Sequence, residues 1–288
     1  MKRKKLNVVY LLNVFIVLIV SVTILFPVIN IVALSFNDAS DAMKGGIYIW
    51  PRIFTLENYK AVLQDKSIAR ALFISVSKTL IGTLTHVLFT AMVAYGMSNQ
   101  NLRFRSIYVK IGIFAMFFSG GTIPYFLLIK NLGLYNSFWV YIIPAFFSFY
   151  DMIIIMNFFR DLPIALSESA QVEGAGHFYI FRKIYLPLSM PVLATIALFN
   201  GVDQWNEYMP AKLFVTNTKL WPLQMVLYQI IVKAQASQMI ISSTVKIHTS
   251  TRAVQLATMV ITTAPIIIMY PLLQKYFISG MIVGAVKE

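Results

Sequence analysis

The 288 residues include no cysteine, which excludes disulfide bridges, thiolate nucleophiles and cysteine-ligated zinc or iron–sulfur sites. Histidine is nearly as scarce: His86, His177 and His248 lie far apart, and no spacing among them suits a zinc site. Charged residues make up only 12% of the chain against 58% hydrophobic ones. That balance cannot give a soluble domain a polar surface and belongs in a bilayer. Acids are scarcer than bases, 11 against 24, for a net charge of +13. The basic residues are scattered through short loops and form no stripe with interleaved aromatics, so nucleic-acid binding is not expected. Lys and Arg retained beside cytoplasmic membrane ends and drawn to anionic headgroups produce the same balance. No G-x4-G-K-[ST] phosphate loop occurs either, so the chain is not expected to hydrolyse ATP.

What is present is a succession of apolar runs of the length that crosses a ~30 Å hydrocarbon core, about 20 residues each. They fall near 8–34, 70–97, 108–129, 137–158, 187–208 and 253–277. The first follows Lys2, Arg3, Lys4 and Lys5, as a signal peptide's apolar core would, but its run is longer than such a core. The stretch from Pro27 to Phe36 also lacks a small-x-small cleavage site. It is therefore read as a retained first helix. The basic N-terminus, and Arg103, Arg105 and Lys110 between the second and third runs, put those segments in the cytoplasm. The connection after the third run holds only Lys130. Six crossings then leave the C-terminus inside, together with the segment after the fourth run. The long outer connection, about 209–251, is expected to carry some helix, across Gln224 to Gln235.

The segment after the fourth run is polar and rich in small residues: Glu168-Ser169-Ala170-Gln171-Val172-Glu173-Gly174-Ala175, followed by Ile184-Tyr185-Leu186-Pro187. Asp161 and Pro163 suit a helix start, a capping carboxylate followed by proline in the first turn. The helix is expected to run to about Ala175. Glu168, Val172 and Ala175 share one face, and Ala170 and Gly174 lie four apart on another. Gly174 and Gly176 allow the chain to turn, and Pro187 is expected to open the next span. Such a helix, held at both ends by spans, suits a docking peg; a helix lying on the membrane surface is the plainer reading.

The complete spacing resembles the cytoplasmic coupling loop of permease subunits in binding-protein-dependent ABC importers, in the carbohydrate branch typified by the smaller maltose permease. Ser169 stands where that family usually has alanine, and Glu173 where it has aspartate. Trp205-Asn206-Glu207-Tyr208, Ser119-Gly120-Gly121-Thr122-Ile123-Pro124 and the closing Tyr276-Phe277 to Lys287 stretch also resemble these permeases, the middle one those for complex oligosaccharides. The resemblance implies an all-α membrane protein of type I permease fold with six transmembrane helices. It implies one permease domain over 1–288, with a coupling loop at 159–186 and a cytoplasmic tail at 278–288. It further implies ATPase contacts at Glu168, Ser169, Ala170, Glu173, Gly174, Ala175, Ile184, Leu186 and Pro187, and tail contacts at Gly280, Gly284 and Lys287. The implied assembly has a second homologous permease, two ATPase subunits that hold the ATP and Mg, and an extracytoplasmic solute-binding protein delivering a saccharide. The chain itself would bind no cofactor and no metal, and would sit in the cell membrane with both termini in the cytoplasm.

Ionisable residues inside spans are functional candidates by default. Lys78, His86, Asp151, Asp203 and Glu207 qualify. Asn200, Asp203 and Glu207 share a helix face and could line a sugar path, since amides and carboxylates satisfy hydroxyls. Trp205, Asn206, Tyr208 and Tyr150 are further path candidates, although aromatics near an interface often serve only as anchors. Lys78 and His86 could face one cavity or bind carbonyls of neighbouring spans. A proton-coupled secondary transporter using Asp203 and Glu207 is the alternative function, but such proteins usually have more spans and an internal duplication.

Overall fold

A computed structural model describes residues 8–42, 44–240 and 255–268. Among them the structure is helical; the only strand-type pairing is an isolated bridge between Asn37 and Phe54. The chain forms two compact units, one from residues up to Ala69 with Leu227–Ala264, the other from Arg70–Val226 with residues from Pro265 onward.

In the first unit, α1 (Val8–Ser35) is long enough to cross a bilayer, and none of its most apolar stretch is buried by the rest of the chain. Its serine and threonine hydroxyls bond back along the helix, Ser21 to the Val17 carbonyl and Thr23 to that of Ile19, which keeps them satisfied in lipid. Past its end a loop folds on buried Asn37, whose side chain accepts from the Ile53 amide (2.8 Å) and donates to Asp41 (3.2 Å). Asn58, at the start of α2 (Glu57–Gln64), donates to the carbonyls of Ser35 and Asn37. Asp38 accepts from the Ser40 hydroxyl and the Asp41 amide, and these bonds hold its carboxyl below the usual aspartate range. Burial works to raise the Asp41 carboxyl, but Asn37, Lys44 and Arg52 outweigh it and hold that group low as well.

The second unit begins along α3 (Lys66–Ser98), the other helix long enough to span on its own. Its polarity is inverted relative to a soluble helix. Leu80, Leu84 and Leu88 recur every four residues on the outside, whereas Ser75, Lys78, His86 and Thr90 are buried. Lipid is as apolar as leucine, so the polar groups collect where other helices can satisfy them.

The third apolar run is two helices, α4 (Arg105–Phe117) and α5 (Thr122–Asn131), meeting at 114°. Gly121 makes the break: its φ of +85° and ψ of 170° lie in a region only glycine occupies. The fourth run is corrected from 137–158 to α6 (Phe149–Asp161), because Ser148 caps it by accepting from the Asp151 amide. The residues before it hold only a 3-10 turn at Phe138–Tyr141. After α7 (Ile164–Val172), the fifth run is again a bent pair, α8 (His177–Leu188) and α9 (Met190–Asn206), meeting at 79° around buried Ser189. Pro187 therefore lies within α8 and does not begin the span. The turn before it, Phe181–Tyr185, is a π-helix closed by the Leu186 amide on the Phe181 carbonyl. That wider turn accommodates the proline's missing donor. Of the six runs, two are thus single spanning helices and two are bent pairs. The helix expected across Gln224 to Gln235 appears as α10 (Leu223–Ile240), and the last run is described as α11 (Gln255–Ile268).

Packing centres on Ala91 and Ala94 of α3, Met152, Ile155 and Phe159 of α6, Phe181 of α8 and Val192 and Ile196 of α9. Gly112 of α4 lets Phe149 lie where a side chain would be: an added Cβ would sit 1.9 Å from the ring.

Candidate functional site

Two regions gather the candidate residues, and both lie within the second unit. The first is α7 and its exit. Pro163 occupies the cap position of α7 with no side-chain cap bond, and Asp161 is the last residue of α6; the expected Asp161 cap is therefore corrected. Proline's fixed φ of −58° pre-sets the entry instead. The helix stops at Val172, not Ala175. Gly174 adopts φ +84°, its amide donates to the Gln171 carbonyl, and the Ala175 amide reaches back to that of Ala170, both at 2.9 Å. These two bonds constitute a Schellman closure, which satisfies carbonyls the helix end would leave bare. No residue of α7 is buried. Glu168, Ser169 and Glu173 are exposed, Ala170 and Ala175 half-buried, and Val172 is 89% exposed. The flanks behave oppositely. Leu162 on one side, and Tyr185 and Leu186 on the other, pack against the core, with Ile184 half-buried beside them and Pro187 exposed. The arrangement is a projecting helix with anchored ends. Gly280, Gly284 and Lys287 lie outside the described residues.

The second region is a cavity of about 240 Å³ lined by residues of α3, α5, the 138–145 segment and α9. Asn200, Asp203 and Glu207 line it together, as their shared helix face predicts, and Gln204 joins them. Lys78, 1% exposed, donates to the Glu207 carbonyl at 2.6 Å and lies over the Tyr141 ring. It thus sits at the cavity wall and binds a carbonyl as well. His86 takes the carbonyl role: Nδ1 lies 2.8 Å from the Ala145 carbonyl and Nε2 2.9 Å from Asp151. A carbonyl only accepts, so Nδ1 carries a proton. The Nε2–Asp151 bond then needs a second proton, on either the imidazole or the carboxyl. Asp151 therefore ties α6 to α3. Trp205 is buried, the Asn206 side chain accepts from Gln224, Tyr208 precedes the short helix Met209–Phe214 without a side-chain cap bond, and Tyr150 is 61% exposed; none of the four lines the cavity. Residue 205 sits about 100° around the helix from residue 204, which turns it to another side. Tyr125 and Tyr141 carried no local signal, because distant segments bring them in. Gln204 was readable as the residue four beyond Asn200.

A larger groove, about 490 Å³, lies in the first unit, lined by apolar residues from Val28 to Phe54. Its one polar side-chain group among the described lining residues is the Trp50 indole N–H, against the several that line the smaller cavity.

No protein-family model matches the chain. Curated relatives do. The chain is 38% identical to Protein LplC of Bacillus subtilis, covering 93% of this chain and 90% of that one. It is 36% identical to the polygalacturonan/rhamnogalacturonan transport system permease protein YtcP of the same organism, covering 91% and 92%. The chain belongs to the sugar ABC importer permeases. A solved bacterial ABC transporter involved in import of the acidic polysaccharide alginate superposes on the permease with a TM-score of 0.86 at 27% identity, covering 96% of this chain and all of that one. The trehalose/maltose transport system permease protein MalG of Thermococcus litoralis is 30% identical, covering 94% of each chain. The permease is accordingly an integral membrane component of a transporter complex with ATPase and binding-protein partners. The comparisons give no support to proton-coupled secondary transport.

Proposed function

We propose that this permease forms one half of a path carrying an oligosaccharide into the cytoplasm across the cell membrane, with a second, homologous permease forming the other half. Two ATPase subunits hold the ATP and Mg and hydrolyse it, and this chain catalyses no reaction. Both termini lie in the cytoplasm, as does α7, while a solute-binding protein delivers the sugar from outside. The observation that carries the reading is the exposed, Schellman-closed α7 between two core-anchored flanks. Isolated helices this short are marginal in water, so the closed end and the anchored flanks keep it formed without a partner. A stiff helix transmits displacement. Movement of the ATPases against Glu168–Ala175 would pass through Tyr185 and Leu186 into α9, which carries Asp203 and Glu207. Glycines of the tail, Gly280 and Gly284, with Lys287, supply a second ATPase contact in this reading.

The absence of native cysteine makes the test clean. Ser169→Cys, in membranes containing the assembled transporter, is expected to cross-link to an ATPase subunit carrying a cysteine in its docking cleft, and to be shielded from impermeant thiol reagents added outside. Labelling of that cysteine from outside, or no cross-link in an ATPase-containing complex, would overturn the docking assignment.

A further inference from the structure

We propose that the cavity between α3, α5 and α9 is a subsite for one uncharged sugar ring, and that its wall charge disfavours uronates. The inference rests on the reading of this chain as a saccharide permease and narrows its cargo at that site. At about 240 Å³ the cavity falls below the ~300 Å³ at which pockets for drug-sized ligands begin, so it accommodates one ring of a longer chain. Its polar groups are mainly acceptors. The Asp203 side chain is exposed and accepts no hydrogen bond from the described residues; Glu207 accepts one, from the Met209 amide. Asn200, which lines the cavity, has its Oδ1 buried without a hydrogen-bond partner among the described residues. Sugar hydroxyls bring the donors that the exposed Asp203 and Glu207 carboxylates accept.

The charge count decides between sugar classes. Asp203 and Glu207 supply two carboxylates against one ammonium, and that ammonium is buried, held by the Glu207 carbonyl and the Tyr141 face. Asp151 adds no unpaired charge, being bound to His86. A uronate carboxylate entering here would meet Asp203 with no cation but the engaged Lys78 among the described lining residues, at a cost of about tenfold or more in affinity. The site thus contrasts with both the alginate named for a structural relative and the polygalacturonan named for YtcP.

The test places the only thiol of the chain on the cavity wall, as Tyr125→Cys or, should that variant insert poorly, Pro144→Cys. In membranes with the assembled transporter, a cationic methanethiosulfonate should label it faster than an anionic one of similar size, by about tenfold. Adding Asp203→Asn should bring the ratio toward unity. Maltohexaose should slow labelling several-fold and hexagalacturonate should not, as expected of an uncharged-sugar site. Equal or faster anionic labelling, protection by hexagalacturonate, or protection by neither sugar overturns the proposal. Each of these can occur while Ser169→Cys still cross-links to the ATPase, so failure here is distinguishable from failure of the permease reading.

Discussion

Substitution at Gly174 separates backbone conformation from contact chemistry in α7, the helix proposed to dock. The residue holds φ +84°, and an added Cβ would meet no atom within 4 Å, so the permease itself raises no steric objection to a side chain. The cost is conformational. The left-handed region penalises an alanine by about 1 kcal/mol and a β-branched residue by about 2 kcal/mol, whereas asparagine enters it readily. Both closing bonds of α7, Gly174 to Gln171 and Ala175 to Ala170, depend on that conformation. At ~1.4 kcal/mol per factor of ten, the equilibrium constant for closing the helix end falls about fivefold for Gly174→Ala and about thirtyfold for Gly174→Val. Gly174→Asn should remain close to the parent. Gly174→Asp shares asparagine's shape but adds a charge beside Glu173 on the docking face, and should abolish uptake. The assay is sugar accumulation per ATP hydrolysed in reconstituted vesicles, at matched levels of inserted permease. Asparagine as damaging as valine would refute the conformational argument, and harmless valine would show that coupling does not need the closed end.

Gly112→Ala should lower the thermal resistance of the solubilised permease by about 1–3 kcal/mol, because its Cβ would lie 1.9 Å from the Phe149 ring. Phe149→Leu in the same chain should recover part of that loss, and no recovery would point elsewhere. His86→Ala leaves the Asp151 carboxyl without its partner and should cost about 3 kcal/mol, read as the midpoint of heat-induced loss of the monodisperse species. The loop after α1 should loosen in acid. Asp38 and Asp41 are held low in the folded chain, so their contribution is fully present above the ordinary aspartate value of about 3.9 and is lost as pH falls through their lower folded values. Hydrogen exchange at the Ile53 and Asp41 amides, corrected for intrinsic rates, should stay slow down to that range; loss of protection at higher pH would contradict the assignment.

The two unbroken spans were legible because length and continuous apolarity suffice to predict them, and the short helix Ile164–Val172 because its proline and glycine signals are local. The cap at Pro163 was misplaced by two residues, since Asp161 carries a capping side chain but belongs to the preceding helix. Ser119-Gly120-Gly121 signalled irregularity, yet only the backbone angles of Gly121 turn it into a 114° bend. The face shared by Asn200, Asp203 and Glu207 follows from helix periodicity. Their meeting with Lys78 and Tyr141 does not, because a bond joining Lys78 to the Glu207 carbonyl across 129 positions leaves no periodic trace.

The π-turn at Phe181–Tyr185 fixes a rotational phase. Holding one residue more than an α-turn, it offsets the side chains before it by about 100° relative to those beyond. Deleting a single residue there would restore ordinary helix while swinging the projecting arm to a different azimuth. The length of that one coil, more than any side chain on it, sets which way the arm points.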